Sequence, residues 1–182
     1  DEARELLKRL REINEKLKKD VEEIERRLEK YNRDVKRKLD DSIRELKEKL
    51  DRLRERIRDE GTGREDLERV KKDVEDYLEE NRRRAEESKR ELERLLREVR
   101  EKLKRSVERL DEALEKVDRD GLPEDVRRAV EELVRRHKDT VKKIEESVRR
   151  LVEEHKRTVK EALDRSRRIA EEIKRVLDEA AR

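Results

Sequence analysis

The sequence predicts an all-α protein, a long up-down-up antiparallel three-helix bundle. Apolar residues recur every third or fourth position along nearly the whole chain, and only three glycines and one proline interrupt the pattern. Charged residues make up 61% of the chain, with 57 basic and 54 acidic side chains. The two signs alternate at the spacing typical of solvated helix faces. Because the apolar stripes are continuous, this high charge does not indicate disorder.

The first helix is predicted over about residues 2–59, where a stripe of apolar residues runs from Leu6 to Ile57. Its steps of three and four residues are the helical signature. No glycine or proline lies inside this stretch, so nothing in the sequence favours a break before residue 60.

The first loop is predicted at residues 60–63. Gly61 fits the left-handed position that follows many helix ends. Thr62, with Glu65 three residues later, has the pattern of a capping box, in which two side chains satisfy free amides at a helix start.

The second helix is predicted over about 64–118, followed by a loop at 119–122. Gly121 is expected to be a helix-end glycine of the same kind. Pro123 suits the first turn of a helix, where no amide hydrogen is needed. The third helix is therefore predicted over about 123–181.

An 18-residue repeat runs through these helices, as in Leu10, Leu28 and Leu46. Eighteen residues make five turns of an ordinary α-helix, whereas repeats of seven or eleven impose a left- or right-handed supercoil. We therefore expect a nearly untwisted bundle with a coiled-coil-like core, forming one domain over residues 1–182. Either handedness of the three helices buries the same stripes.

Polar residues interrupt the stripes at the same repeat. His137 and His155 are 18 residues apart, and each lies 123 residues after an asparagine, Asn14 or Asn32. Residues at the same level of two parallel helices differ in residue number by a constant amount. In two antiparallel helices, the residue numbers at one level have a constant sum. We therefore predict two buried polar layers: Asn14, Ser106, His137 and Thr140, and Asn32, Ser88, His155 and Thr158 with Tyr31 beside them.

A third polar layer is predicted from Ser42, Asn81 and Ser166. Each of these residues replaces an apolar residue of the repeat, and all three fall at one level of the bundle. A buried polar group without a partner costs about 1–3 kcal/mol. Polar residues in a core are therefore expected to occur in mutually satisfied groups. Tyr77 is expected near this layer.

Enzymatic and metal chemistry are not expected. The chain has no cysteine, and its two histidines lie about 27 Å apart along one helix at the usual rise per residue, too far to share an ion. No carboxylate on the stripes could orient a catalytic base, and a filled bundle leaves no pocket for a substrate. We predict no cofactor and no metal.

Partners are not required either. Balanced charge does not form the basic surface that nucleic acid needs, and no stretch is apolar enough for a membrane. No signal peptide follows Asp1, so we expect a soluble monomer. Helix 3 has a wider apolar flank, formed by Val134, Val152 and Ala170, through which self-association or docking of a partner is the alternative.

The chain resembles computationally designed helical bundles with modular buried hydrogen-bond networks. The resemblance rests on a composition dominated by Glu, Lys, Arg, Leu and Val and on the absence of Cys, Met, Trp and Phe. It also rests on the loop sequences and on two copies of the motif His-x-x-Thr. It implies a structural protein with no natural biochemical function and no native location, cytoplasmic when expressed.

The resemblance also implies that the buried histidines serve as specificity devices or as pH switches. In the first case a static network fixes how the helices pair. In the second, burial lowers the histidine pKa below about 6.5, so stability declines as the pH falls. A rigid scaffold for a partner is a third possibility. The sequence leaves these alternatives open.

Overall fold

Three α-helices account for most of the chain. The structure is a computed structural model that describes residues 1–59 and 63–182. Helix α1 spans Glu2–Asp59, α2 spans Arg64–Glu115 and α3 spans Glu124–Ala181, with a short 3-10 turn at Arg119–Gly121. No strand occurs within these described residues. The prediction of an all-α three-helix protein is confirmed.

The ends of α1 are satisfied by charge and by the backbone. The Asp1 carbonyl accepts a hydrogen bond from the Glu5 amide at 3.2 Å. Glu2 and Glu5 occupy the first turn, and Arg56 and Arg58 occupy the last. These charges oppose the partial charges of the helix ends and so stabilise both termini.

The predicted capping groups of the first loop, Gly61 and Thr62, lie outside the described residues. Helix α2 begins at Arg64, and the Gly63 carbonyl accepts from the Leu67 amide at 3.3 Å. Gly63 therefore occupies the N-cap position of α2, where glycine is accepted although it supplies no side-chain acceptor.

The second loop differs from its prediction. Helix α2 ends at Glu115, three residues before the predicted end, and the Asp118 side chain then accepts from the Asp120 amide to open the 3-10 turn. Gly121 closes this turn and does not have a left-handed backbone. The prediction that Gly121 ends the helix is wrong, because α2 stops earlier and Asp118 organises the loop in its place.

Helix α3 begins one residue later than predicted. The Pro123 carbonyl accepts from the Arg127 amide at 2.9 Å, so Pro123 is the N-cap residue, not the first helical residue. Differences of this size are usual at helix ends. Glu124 and Asp125 occupy the first turn, where negative charge is stabilising.

Gly121→Ala should preserve the fold and raise the free energy of unfolding by about 0.4–1 kcal/mol, because alanine restricts the unfolded chain. A Cβ at this position would meet the Asp118 Oδ2 at 3.6 Å, an ordinary contact. Urea denaturation measures the effect. The matched control is Gly63→Ala, which should bring no such gain because alanine is a poor N-cap residue. A loss above 1 kcal/mol for Gly121→Ala would contradict the backbone assignment.

The chain divides into two compact units. Unit 1 comprises Asp1–Glu29 and Leu92–Val152, and unit 2 comprises Lys30–Glu91 and Glu153–Arg182. Each unit contains one segment of every helix. The expectation of a single domain stays a prediction.

Unit 1 has two apolar clusters that show its helix directions. The first joins early α1 to late α2 and early α3, through Leu6, Leu10, Ile13, Leu110, Ala113, Val130 and Leu133. The second lies further along α1 and is built from Leu17, Val21, Ile24, Leu28, Leu92, Leu95, Val99, Leu103, Ile144, Val148 and Val152. As α1 advances, its α2 partners move backwards and its α3 partners advance. Helix α2 is therefore antiparallel to α1 within this unit, and α3 is parallel to it.

Unit 2 follows the same order. The Tyr77 hydroxyl donates to Glu45 at 2.7 Å, and Lys49 donates to Asp73 at 3.0 Å. The residue numbers in both pairs sum to 122, as expected for antiparallel helices. Helix α3 again runs parallel to α1, because Asn32, Asp40 and Arg54 of α1 pair in that order with His155, Arg165 and Glu172 of α3. Each unit is thus an up-down-up trio around its own apolar core.

Candidate functional site

The first polar layer lies in unit 1 and is centred on His137. This side chain is 1% exposed, and Ser106 is also buried. The Ser106 Oγ and the His137 Nε2 are hydrogen-bonded at 2.7 Å. The bond joins α2 to α3 between two buried side chains.

Asn14 approaches this layer from α1. Its Nδ2 donates to the Leu133 carbonyl at 3.4 Å, one helical turn before His137. Its Oδ1 is buried without a hydrogen-bond partner among the described residues. The sequence predicts that Asn14 belongs to the layer, and the structure places its amide against the α3 backbone. Thr140 is half-buried and makes no hydrogen bond to His137 in the described part of the chain.

The environment of His137 favours the neutral imidazole. Burial lowers the pKa of His137 below its usual 6.5, and the nearby Asp111 carboxylate acts in the opposite direction. Burial is the larger effect because a charged ring loses its hydration in the core.

The second polar layer lies in unit 2 and is centred on His155, which is 2% exposed. The Asn32 Oδ1 accepts a hydrogen bond from the His155 Nδ1. The other ring nitrogen, Nε2, is buried without a partner in the described structure. The Ser88 hydroxyl, also buried, donates to the Ala85 carbonyl of its own helix at 2.9 Å. Thr158, predicted to belong to this layer, is half-buried and makes no side-chain hydrogen bond among the described residues.

An aromatic contact distinguishes the second layer. The rings of Tyr31 and His155 are stacked, with centroids 5.9 Å apart and an interplanar angle of 28°. Burial lowers the pKa of His155. Burial also raises the pKa of the Tyr31 hydroxyl, with smaller contributions from Glu91 and Glu87. Both rings are therefore held neutral near pH 7.

The third polar layer, also in unit 2, consists of buried Ser42, Asn81 and Ser166. The Asn81 Nδ2 donates to the Ser166 Oγ at 3.3 Å, and that hydroxyl donates to the Ala162 carbonyl at 3.0 Å. The Asn81 Oδ1 is buried without a partner among the described residues. This layer thus links α2 to α3 through one side-chain pair.

A surface groove of about 560 Å³ lies beside the third layer, and Ser42 and Tyr77 both line it. The Tyr77–Glu45 hydrogen bond raises the pKa of Tyr77 to about 12. Lys49 lies 5.3 Å from the centre of the Tyr77 ring and forms an ion pair with Asp73. The groove is open to solvent and its side chains bond one another, and the expectation that the bundle leaves no pocket for a substrate stays a prediction.

The wider flank of α3 packs within the two units. Val152 and Ala170 are buried, and half-buried Val134 packs against the first cluster of unit 1. Among the described hydrophobic side chains, Val107 is the large one that is exposed, at 39%.

Two further features bear on chemistry. Within residues 1–59 and 63–182, no group of three or more His, Cys, Asp or Glu side chains could hold a metal ion. No helix in this part of the chain has the length and apolar character needed to cross a membrane. What the layers offer is neutral amide, hydroxyl and imidazole groups that bond one another and the backbone.

Backbone carbonyls are the partners that sequence reasoning missed. The carbonyls of Leu133, Ala85 and Ala162 accept from layer side chains. Serine inside a helix commonly donates to a carbonyl three or four residues earlier. That tendency was the available signal for Ser88 and Ser166.

Comparisons with known proteins add little about function. No protein-family model matches the sequence, and no curated protein matches it. A solved structure described as a computationally designed three-helix bundle is 21% identical, over 98% of this chain and 90% of that chain, with a TM-score of 0.43. A similarity of this size carries no argument about function.

Proposed function

We propose that this chain is a designed structural scaffold whose buried polar side chains specify how its helices pair. One observation carries the proposal: each unit contains at least one hydrogen bond between side chains of different helices in which one or both partners are buried. They are Ser106–His137 in unit 1, and Asn32–His155 and Asn81–Ser166 in unit 2. The scaffold is proposed to act as a monomer, and no reaction is part of its role.

The physical reason is the difference between apolar and polar contacts. Apolar contacts are non-directional, and the 18-residue repeat makes each stripe resemble itself after a displacement. A displaced helix could therefore still bury its leucines. It could not keep all of its polar partners, and each buried polar group left unbonded would cost about 1–3 kcal/mol.

The two layers of unit 2 further restrict which helix alignments satisfy the polar groups, because each helix carries a different residue type in each layer. The second layer has asparagine on α1, serine on α2 and histidine on α3. The third layer has serine, asparagine and serine in the same order. A helix displaced from one level to the other would meet the wrong polar group, so the two levels are not interchangeable.

Spin-label distances within unit 2 test the proposal. The chain has no cysteine, so the exposed residues Lys36 on α1, Glu86 on α2 and Arg157 on α3 can each be changed to cysteine and labelled in pairs. The wild-type layers should give one narrow distance for each pair. The apolar variant replaces four layer residues, by Asn32→Leu, Ser88→Ala, Asn81→Leu and His155→Leu. It should give broader or multiple distances for each labelled pair.

The same variant should become more stable, since replacing buried polar groups by apolar ones of similar volume is often neutral or stabilising by 1–4 kcal/mol. Stability and specificity would then change in opposite directions. Thr158→Val is the matched control, because Thr158 is half-buried in the same unit but makes no side-chain hydrogen bond in the described structure, so this change should leave the distances unchanged. Narrow, unaltered distances in the apolar variant would show that loops and apolar stripes alone fix the pairing.

A further inference from the structure

The first and second layers are related by the 18-residue repeat, and each contains a hydrogen bond that the other lacks. In the first, serine bonds the histidine Nε2. In the second, asparagine bonds the histidine Nδ1. The unpartnered atoms are the Asn14 Oδ1 and the His155 Nε2. The Asn14 Oδ1 corresponds to the Asn32 Oδ1, which is bonded in the second layer. The His155 Nε2 corresponds to the His137 Nε2, which is bonded in the first.

We infer that both layers share one complete relay, in which Asn Oδ1 accepts from His Nδ1–H and the serine hydroxyl donates to His Nε2. In the first layer the relay runs through Asn14, His137 and Ser106. In the second it runs through Asn32, His155 and Ser88. The inference rests on the proposed function, because it describes how the side chains of the same layers join all three helices through the imidazole ring.

The direction of the relay follows from the Asn14 amide. A backbone carbonyl can only accept hydrogen bonds, so the Asn14 atom that faces the Leu133 carbonyl must be Nδ2. The amide oxygen is then left for the ring. An amide oxygen can only accept, so the ring nitrogen that bonds it must carry the proton. The same orientation already holds for Asn32 and His155.

The serine roles follow from the ring. A neutral imidazole has one donor and one acceptor, so a ring protonated at Nδ1 needs a donor at Nε2. Ser106 lies 2.7 Å from the Nε2 of His137 and fits that role. Ser88 currently donates to the Ala85 carbonyl. The relay therefore requires Ser88 to turn to another staggered rotamer and donate to the His155 Nε2, while the Ala85 carbonyl keeps its helical hydrogen bond.

Nitrogen NMR of the full-length, ¹⁵N-labelled chain at pH 7.5 tests the relay. Two-bond proton–nitrogen correlations distinguish a ring protonated at Nδ1 from one protonated at Nε2. Both histidines should show the Nδ1–H pattern, with the urea-denatured chain as the reference. An Nε2–H pattern on either ring would overturn the inference without affecting the spin-label test of helix pairing.

Two serine variants test the donor. Ser106→Ala and Ser88→Ala should each shift the Nε2 resonance of their own histidine, and each should lower the folding equilibrium constant by a similar factor of about 5–30. Ser42→Ala, a buried serine of the third layer, should leave both histidine patterns unchanged. If Ser88→Ala left the Nε2 resonance of His155 in place, Ser88 would belong to its own helix and the shared relay would fail.

Discussion

Replacing Leu46 with alanine should lower the free energy of unfolding by about 2–5 kcal/mol. Leu46 is 0% exposed and lies in the apolar core of unit 2. The change removes buried apolar atoms and leaves a cavity that the surrounding helices fill only in part. Equilibrium urea denaturation followed by helical circular dichroism measures the loss.

The control for this change is Val107→Ala. Val107 is 39% exposed, and surface substitutions usually change stability by less than about 0.5 kcal/mol. The two variants thus compare a truncation inside the core with one outside it. A cost below 1 kcal/mol for Leu46→Ala would mean that this position is not packed as the structure shows.

Lowering the pH from 7.5 to 4.5 should progressively reduce the free energy of unfolding. Burial lowers the pKa of both His137 and His155, so the unfolded chain binds protons that the folded chain resists. Their stabilising contribution is complete above the unfolded pKa of about 6.5 and is lost as the pH falls through the folded pKa. Two such protons limit the slope to about 2.7 kcal/mol per pH unit.

Urea titrations at a series of pH values measure this slope. Carboxylates also titrate near the acid end, so the matched control is His137→Gln with His155→Gln, which removes both imidazoles and keeps every carboxylate. The difference between the two pH profiles isolates the histidines. Because the Asp111 carboxylate raises the pKa of His137, Asp111→Asn should steepen the loss. Parallel profiles for the wild-type chain and the double variant would exclude a histidine-based pH response.

The helices could be predicted from the sequence because their periodicity is strict. The same numbering arithmetic gave the 123-residue spacing at which Asn32 and His155 meet. The second loop could not be predicted as well. Its shape depends on Asp118, whose carboxylate caps a 3-10 turn. The glycine in this loop predicts a helix end at Gly121 and does not indicate that Asp118 forms a turn before it.

The sequence predicts which residues share a level in each polar layer, but it does not predict which atoms form the hydrogen bonds. Periodicity and topology place His137 and Ser106 at one level, because both are set by helix geometry. Which atom bonds which depends on rotamers and on nearby carbonyls. Asn14 illustrates this: its Nδ2 donates to the Leu133 carbonyl, a partner that the apolar and polar pattern of the sequence does not indicate.

Tyr31, which stacks on His155, is also a fluorophore that reports on one part of the chain. Tyr31 and Tyr77 are its only aromatic chromophores besides histidine, since Trp and Phe are absent, and both tyrosines lie in unit 2. Tyrosine emission therefore reports on unit 2 alone, whereas the far-ultraviolet amide signal averages over both units. Thermal melts recorded by the two signals in one sample would coincide for a single cooperative transition and separate for two independent ones.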